Sequence, residues 1–307
     1  MVLGEHAVVY GAPALALPVP QLTVTATAGW SPGSPDDPGD ASFTTTGSAS
    51  KPMVSQASDG LRRLTAEFRK TMGVPAGAHL DVIIDCAIPP GRGLGSSAAC
   101  ARAVVFALAD LFGREVAPST AFDLVQTAET VAHGRASGVD AMAVGASAPL
   151  LFQAGEARHL PIACDGLFIV ADSGTTGRTK EAVELLREDF EHRPEARERF
   201  VRRASELAGE ATRALAGGRA ETLGAGLTEY HELLRAAGLS TDRIDALVEA
   251  ARTAGALGAK ITGGGLGGCV IALTRAGQAE EVTRRLHDAG AVRSWAVPLR
   301  GPVDHAR

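Results

Sequence analysis

The stretch GLGSSAACARAVVFAL, residues 93–108, packs small residues into a turn and then runs directly into an apolar helical pattern. A Gly-rich turn closing on a Ser-Ser pair presents backbone N–H groups at a helix N-terminus, where the helix dipole adds partial positive charge. An anion, phosphate above all, suits such a place. The plain structural alternative is that Ser96 caps the helix through its hydroxyl, a common use of serine. The preceding HLDVIIDCAIPP reads as a strand, so the local order is strand, turn, helix, which favours phosphate.

Outward from that turn, 307 residues exceed a typical single domain, and two domains sharing a cleft are expected. Hydrophobic residues make up 45%, enough for ordinary cores, and the net charge of −5 supplies no general attraction for nucleic acid or an anionic membrane. An anionic ligand must therefore be held locally. Cys86, Cys100, Cys164 and Cys269 lie far apart and fit neither a redox CxxC nor a zinc spacing, so buried free thiols are expected. With no basic leader and no run of ~20 apolar residues, the expectation is a soluble, cytoplasmic protein with no membrane partner.

Residues 2–30 alternate β-prone runs with Gly and Pro, which predicts strands joined by tight turns. Residues 31–52 read as a long exposed loop. Helical spacing returns over 56–72 and over 119–133, the second helix ending at Gly134 and carrying Glu129. After FIVADSG, helical spacing occupies about 180–255. The tail alternates GCVIALT as strand, AEEVTRRLHDAG as helix and VRSWAVPL as strand, a βαβ-like α+β half.

Three motif-like segments mislead. GGGLGG at 263–268 fits GxGxxG, but β-prone CVIAL follows it where a dinucleotide fold needs a helix. HELLR at 231–235 begins like a zinc-protease motif yet has Arg235 where the second His must stand, and reads as a solvated helix face. No GxxxxGK[ST] occurs, so a nucleotide here is not held by a Walker loop.

GEHAVVYG (4–11), PPGRGLGSSAA (89–99) and KITGGGLGGC (260–269) together resemble the three signature motifs of the galactokinase, homoserine kinase, mevalonate kinase and phosphomevalonate kinase superfamily. The Glu-His pair before AVVYG, with ETVAHGRASGVDA at 129–141, specifically resembles the mevalonate kinase family. The resemblance implies an α+β, two-domain small-molecule kinase: an N-terminal domain like domain 2 of ribosomal protein S5 over 1–160, a ferredoxin-like C-terminal domain over 161–307, and the active site in the cleft. It further implies ATP and Mg²⁺ as cofactors and mevalonate as substrate, phosphorylated on its primary hydroxyl to 5-phosphomevalonate, a step of isoprenoid synthesis. Some family members are dimers, so a homodimer is a further expectation.

On the same resemblance, Gly91, Arg92, Gly93, Leu94, Gly95, Ser96 and Ser97 hold the triphosphate. Ser97 and Glu129 hold Mg²⁺, a hard cation suited to a hydroxyl and a carboxylate with water completing its shell. Asp140 matches the catalytic aspartate that takes or orients the hydroxyl proton. Glu5, His6, Thr179, Gly264 and Gly265 match the substrate side. Taken as isolated residues, Glu129 would be an exposed helix carboxylate and Asp140 the N-cap of the helix that follows it. One departure stands out: family members carry a lysine a few residues before the Gly-Glu-His, a position that falls upstream of Met1, with Arg92 and Lys260 as the cations that could replace it. The rivals to a mevalonate kinase are a sister enzyme acting on phosphomevalonate and a catalytically impaired ligand-binding relative.

Overall fold

The computed structural model describes residues 1–31, 41–47, 55–74, 79–134 and 136–300. In chain order the elements are β1 (Ala14–Ala16), β2 (Val24–Ser31), β3 (Ala41–Gly47), α1 (Ser55–Thr71), β4 (His79–Cys86), α2 (Ser96–Leu111), α3 (Pro118–His133) and α4 (Val139–Ala143), followed by β5 (Leu150–Gln153), β6 (Glu156–His159) and β7 (Leu167–Asp172). Then come α5 (Thr179–His192), α6 (Pro194–Ala216), α7 (Ala220–Ala236), α8 (Asp242–Thr253), β8 (Gly258–Thr262), β9 (Cys269–Thr274), α9 (Ala279–Asp288) and β10 (Arg293–Pro298).

These elements form two compact units that interleave along the chain. One contains Met1–Val19, Gly91–Leu94 and Ser147–Arg307, and the other Pro20–Pro90 and Gly95–Ala146. The contacts thus cluster otherwise than by a single cut at residue 160.

In the second unit, β4 lies between β2, antiparallel to it, and β3, parallel to it. Leu80, Val82, Ile84 and Cys86 of β4 are buried on one face, while Asp81, Ile83 and Asp85 are exposed on the other. The buried face meets Leu64 and Phe68 of α1, Val104 and Leu108 of α2, and Val125 of α3 in one core. β3 corrects the expected 31–52 loop. Its Ser-Phe-Thr-Thr-Thr run is β-prone, and a full edge of β4 pairs with it despite the Gly- and Pro-rich flanks. The rest of that stretch, 32–40 and 48–52, lies outside the described residues.

In the first unit, β7, β8, β9 and β10 form an antiparallel sheet in the order β10-β7-β9-β8. Numbered along the chain this is 4-1-3-2, with helices between the first and second strands and α9 between the third and fourth: the ferredoxin-like arrangement. β8 and β9 are buried at every position, as strands covered on both faces must be. A smaller antiparallel sheet, β1-β5-β6, belongs to the same unit. The β-prone Ala7–Tyr10 is a 3₁₀ helix and not the expected strand. His6, with φ at 61°, precedes it and left-handed Gly11 (φ 89°) ends it, and that backbone cannot run on into a strand. Cys86, Cys164 and Cys269 are buried free thiols and Cys100 is partly buried.

Candidate functional site

In the first unit the site begins at a tight corner. Leu3 bridges Leu15, and a Cβ on Gly4 would sit 2.5 Å from the Cα of Ala14, so only glycine lets the two backbones approach. The chain then turns through Glu5 and His6 into the 3₁₀ helix, with the Ala7 N–H donating to the Glu5 carbonyl. That same carbonyl accepts the Tyr230 hydroxyl from α7 at 2.9 Å. The Glu5 carboxylate, 2% exposed, meets the fully buried Lys260 ammonium at 2.5 Å. Lys260 also donates to the Ile261 carbonyl and lies 5.5 Å from the centre of the Tyr230 ring.

Two buried polar atoms of this corner, Oε2 of Glu5 and Nε2 of His6, have no hydrogen-bond partner among the described residues. Buried polar atoms are ordinarily satisfied, so neighbouring orphans mark a place where a polar ligand gains most. Burial holds the His6 imidazole below its usual range, opposed by Glu5 and by a backbone hydrogen bond with Gly264. His6 is therefore a neutral hydrogen-bonding group at physiological pH.

The Gly-rich 263–268 segment joins β8 to β9, which removes the dinucleotide alternative on structural grounds. A Cβ on Gly264 would fall 2.1 Å from Oγ1 of Thr179, the first residue of α5. The Gly265 carbonyl accepts the Arg178 N–H, and the Gly268 N–H donates to the Thr175 carbonyl. Glu5, His6, Thr179, Gly264 and Gly265 thus lie along one run of contacts in this unit. His231 corrects the solvated-face reading of HELLR. It is 2% exposed, with Nε2 3.2 Å from Asp245 and Nδ1 accepting the Ile261 N–H at 3.4 Å, because α7 turns its Leu227, Tyr230 and Leu234 stripe inward beside it. Burial lowers its pKa as well.

In the second unit, α2 starts at Ser96 with left-handed Gly95 (φ 71°) as its N-cap, and no side chain fills the cap. Neither serine acts as the structural cap, which leaves the first-turn N–H groups in the arrangement an anion requires. α2 packs against α3, and Glu129 on α3 is 5% exposed, close enough to raise the Cys100 thiol pKa along with the larger effects of Cys86 and burial. Glu129 is therefore no exposed helix carboxylate. Asp140 is exposed in the first turn of α4, whose N-cap is Gly138, so its side chain is not the cap either. Ser137 accepts the Val139 N–H and shapes the turn before it.

Lys260, Tyr230 and Asp172 were missed as partners of the motif residues. The available signal was a lysine in the otherwise apolar ALGAKIT, since a charge inside a buried strand demands a counter-charge. Neither Lys260 nor Arg92 is a free cation, because Glu5 engages the first and Asp172 the second.

Residues 60–147 match the family described as GHMP kinases N terminal domain, and residues 211–292 match GHMP kinases C terminal. The chain is 32% identical to a mevalonate kinase of Thermococcus sibiricus, covering 92% of this chain and 89% of that protein. It is 36% identical to a mevalonate kinase of Pyrococcus horikoshii, covering 69% of this chain and 64% of that one. The fold is similar to that of the L. major mevalonate kinase solved with R-mevalonate, with TM-score 0.82, 23% identity and coverage of 98% and 93%.

Proposed function

The chain belongs to the GHMP kinase family, among its mevalonate kinases, and from that membership together with the site we infer that it transfers the γ-phosphoryl group of ATP to the primary hydroxyl of mevalonate. The observation that carries the substrate side is the Glu5–His6 corner, where a buried carboxylate oxygen and a buried imidazole nitrogen await a polar partner. Each residue has a separate task. The uncapped first turn of α2 receives phosphate oxygens, and Ser97 and Glu129 supply the hydroxyl and carboxylate that suit Mg²⁺. Held there, Mg²⁺ would supply charge neutralisation at the phosphates. Asp140 takes or orients the proton of the substrate hydroxyl, and His6, neutral, hydrogen-bonds the substrate. A cytoplasmic setting and a homodimer belong to the same proposal, the second checked by sedimentation. No helix among the described residues is long and apolar enough to cross a membrane.

The test is ADP release measured with mevalonate, phosphomevalonate, galactose and homoserine. Phosphomevalonate would set a phosphate against the Asp140 carboxylate. Two like charges ~4 Å apart at an effective dielectric of ~20 repel by about 4 kcal/mol. We expect mevalonate to lead in kcat/KM by roughly 10³ on that basis. Comparable values for the two would assign the sister activity.

The metal assignment has its own check. Among the described residues no group of three or more His, Cys, Asp or Glu could enclose a metal ion, so retention by protein would rest on the Ser97 and Glu129 pair. Mg²⁺ that keeps several waters is held by such sparse sites. Ser97→Ala and Glu129→Gln are each expected to raise the Mg²⁺ concentration needed for half-maximal rate about tenfold, with the KM for mevalonate nearly unchanged. Unaltered Mg²⁺ titrations in both variants would remove these residues from the metal site.

A further inference from the structure

Arg92 lies inside the motif assigned to the triphosphate, yet its guanidinium is already held by two hydrogen bonds and one ion pair, its buried Nε making the ion pair but no hydrogen bond. Nε lies 3.1 Å from Oδ1 of Asp172, Nη1 donates to Oγ1 of Thr176 at 3.2 Å, and Nη2 donates to the Gly174 carbonyl at 3.0 Å. Asp172, the last residue of β7, is 3% exposed, and its Oδ1 also accepts the Gly174 N–H at 2.8 Å. Arginine grips a phosphate through two parallel N–H groups of its fork, and here one N–H of each terminal nitrogen is already given to a protein acceptor, which fixes the orientation of the fork. A buried carboxylate needs a cation, and among the described residues Arg92 stands at ion-pair distance from Asp172.

The backbone around Arg92 is equally constrained. The Gly177 N–H donates to the Gly91 carbonyl at 2.8 Å. A Cβ on Gly91 would meet the Thr176 methyl at 2.7 Å, one on Gly93 the Thr262 carbonyl at 2.7 Å, and one on Gly268 the Arg92 carbonyl at 2.9 Å. Residues 91–94 are thus wedged between the segment following β7 and the Gly-rich link from β8 to β9, and the Arg92 side chain fastens the wedge to the end of β7.

We propose that Arg92 is a positioning residue: it locks the entry of the phosphate turn to the end of β7 through Asp172, Gly174 and Thr176, and it acts on ATP through the placement of that turn and not by touching phosphate. This rests on the turn holding the triphosphate of a mevalonate kinase. The unaltered chain is therefore assayed first, and absence of mevalonate turnover there would count against that assignment and not against the lock.

The deciding experiment removes Arg92 in two backgrounds and reads the KM for ATP and the KM for mevalonate separately. Arg92→Met alone is expected to raise the KM for ATP by tenfold or more while the KM for mevalonate moves less than threefold. In the Asp172→Asn background the same substitution should raise the KM for ATP less than threefold, because the carboxylate it neutralised is gone. Arg92→Lys should resemble Arg92→Met, since an ammonium cannot reach three acceptors in a fork. A direct phosphate contact gives the opposite set: an equal factor in both backgrounds and substantial rescue by lysine as a point charge. Either of these results overturns the proposal. Should Arg92→Met fail to fold, the comparison of Asp172→Asn with the double variant still decides, a difference above tenfold in the KM for ATP being the overturning result.

Discussion

Asp140→Asn is expected to lower kcat by about 10²–10⁴, the usual contribution of one positioned general base, while ATP binding persists. The amide preserves size but cannot take a proton. The side chain is exposed in the first turn of α4, where a carboxylate contributes about 0.3–1 kcal/mol through the helix dipole, so the melting temperature should fall by only a degree or two. Loss of rate with retained stability is the signature of chemistry, and nucleotide binding measured by calorimetry completes the test. A variant with near-normal kcat would reduce Asp140 to a residue of the helix start.

The second large effect is on stability. Lys260→Met would leave the Glu5 carboxylate, 2% exposed, without its cation. Breaking a buried pair from one side costs about 3–5 kcal/mol, a fall in melting temperature on the order of 10 °C for a chain of this size. Glu5→Gln with Lys260→Met, which removes both charges, should recover most of the loss. Equal melting temperatures for the single variant and the unaltered chain across pH 4–8 would show the pair to be inconsequential.

Much of the fold could be read from local pattern. α3 ends at Gly134 because a glycine at φ 78° leaves the helical path there, and α9 and β10 occupy the segments whose periodicity marks them. β3 could not be read that way, since its pairing partner β4 lies beyond α1 and its flanks carry turn composition. His231 was obscured by the charged residues of HELLR, although it falls four residues after Leu227 and three before Leu234, on the buried stripe. At the candidate site, the motifs single out Ser97, Glu129, Asp140 and His6 as the residues to test. The partners that hold the motifs were not, because Glu5 and Lys260 are 255 positions apart and no spacing rule reaches across such a distance.

That interleaving also governs how the chain can fold as it is made. The unit holding Pro20–Pro90 and Gly95–Ala146 is synthesised before most of the other and carries its own core. Met1–Val19 is made well before the rest of its unit, whose remaining residues come mainly from Ser147 onward. At about 5–20 residues per second, Glu5 waits roughly 10–50 s for Lys260 to be polymerised. Through that interval Val2, Leu3 and Leu15, apolar residues buried in the finished protein, have no core to enter. The segment Met1–Val19 is thus the one left longest without its partners, and a chaperone that shields it would raise the yield of active enzyme more than one acting on the C-terminal helices.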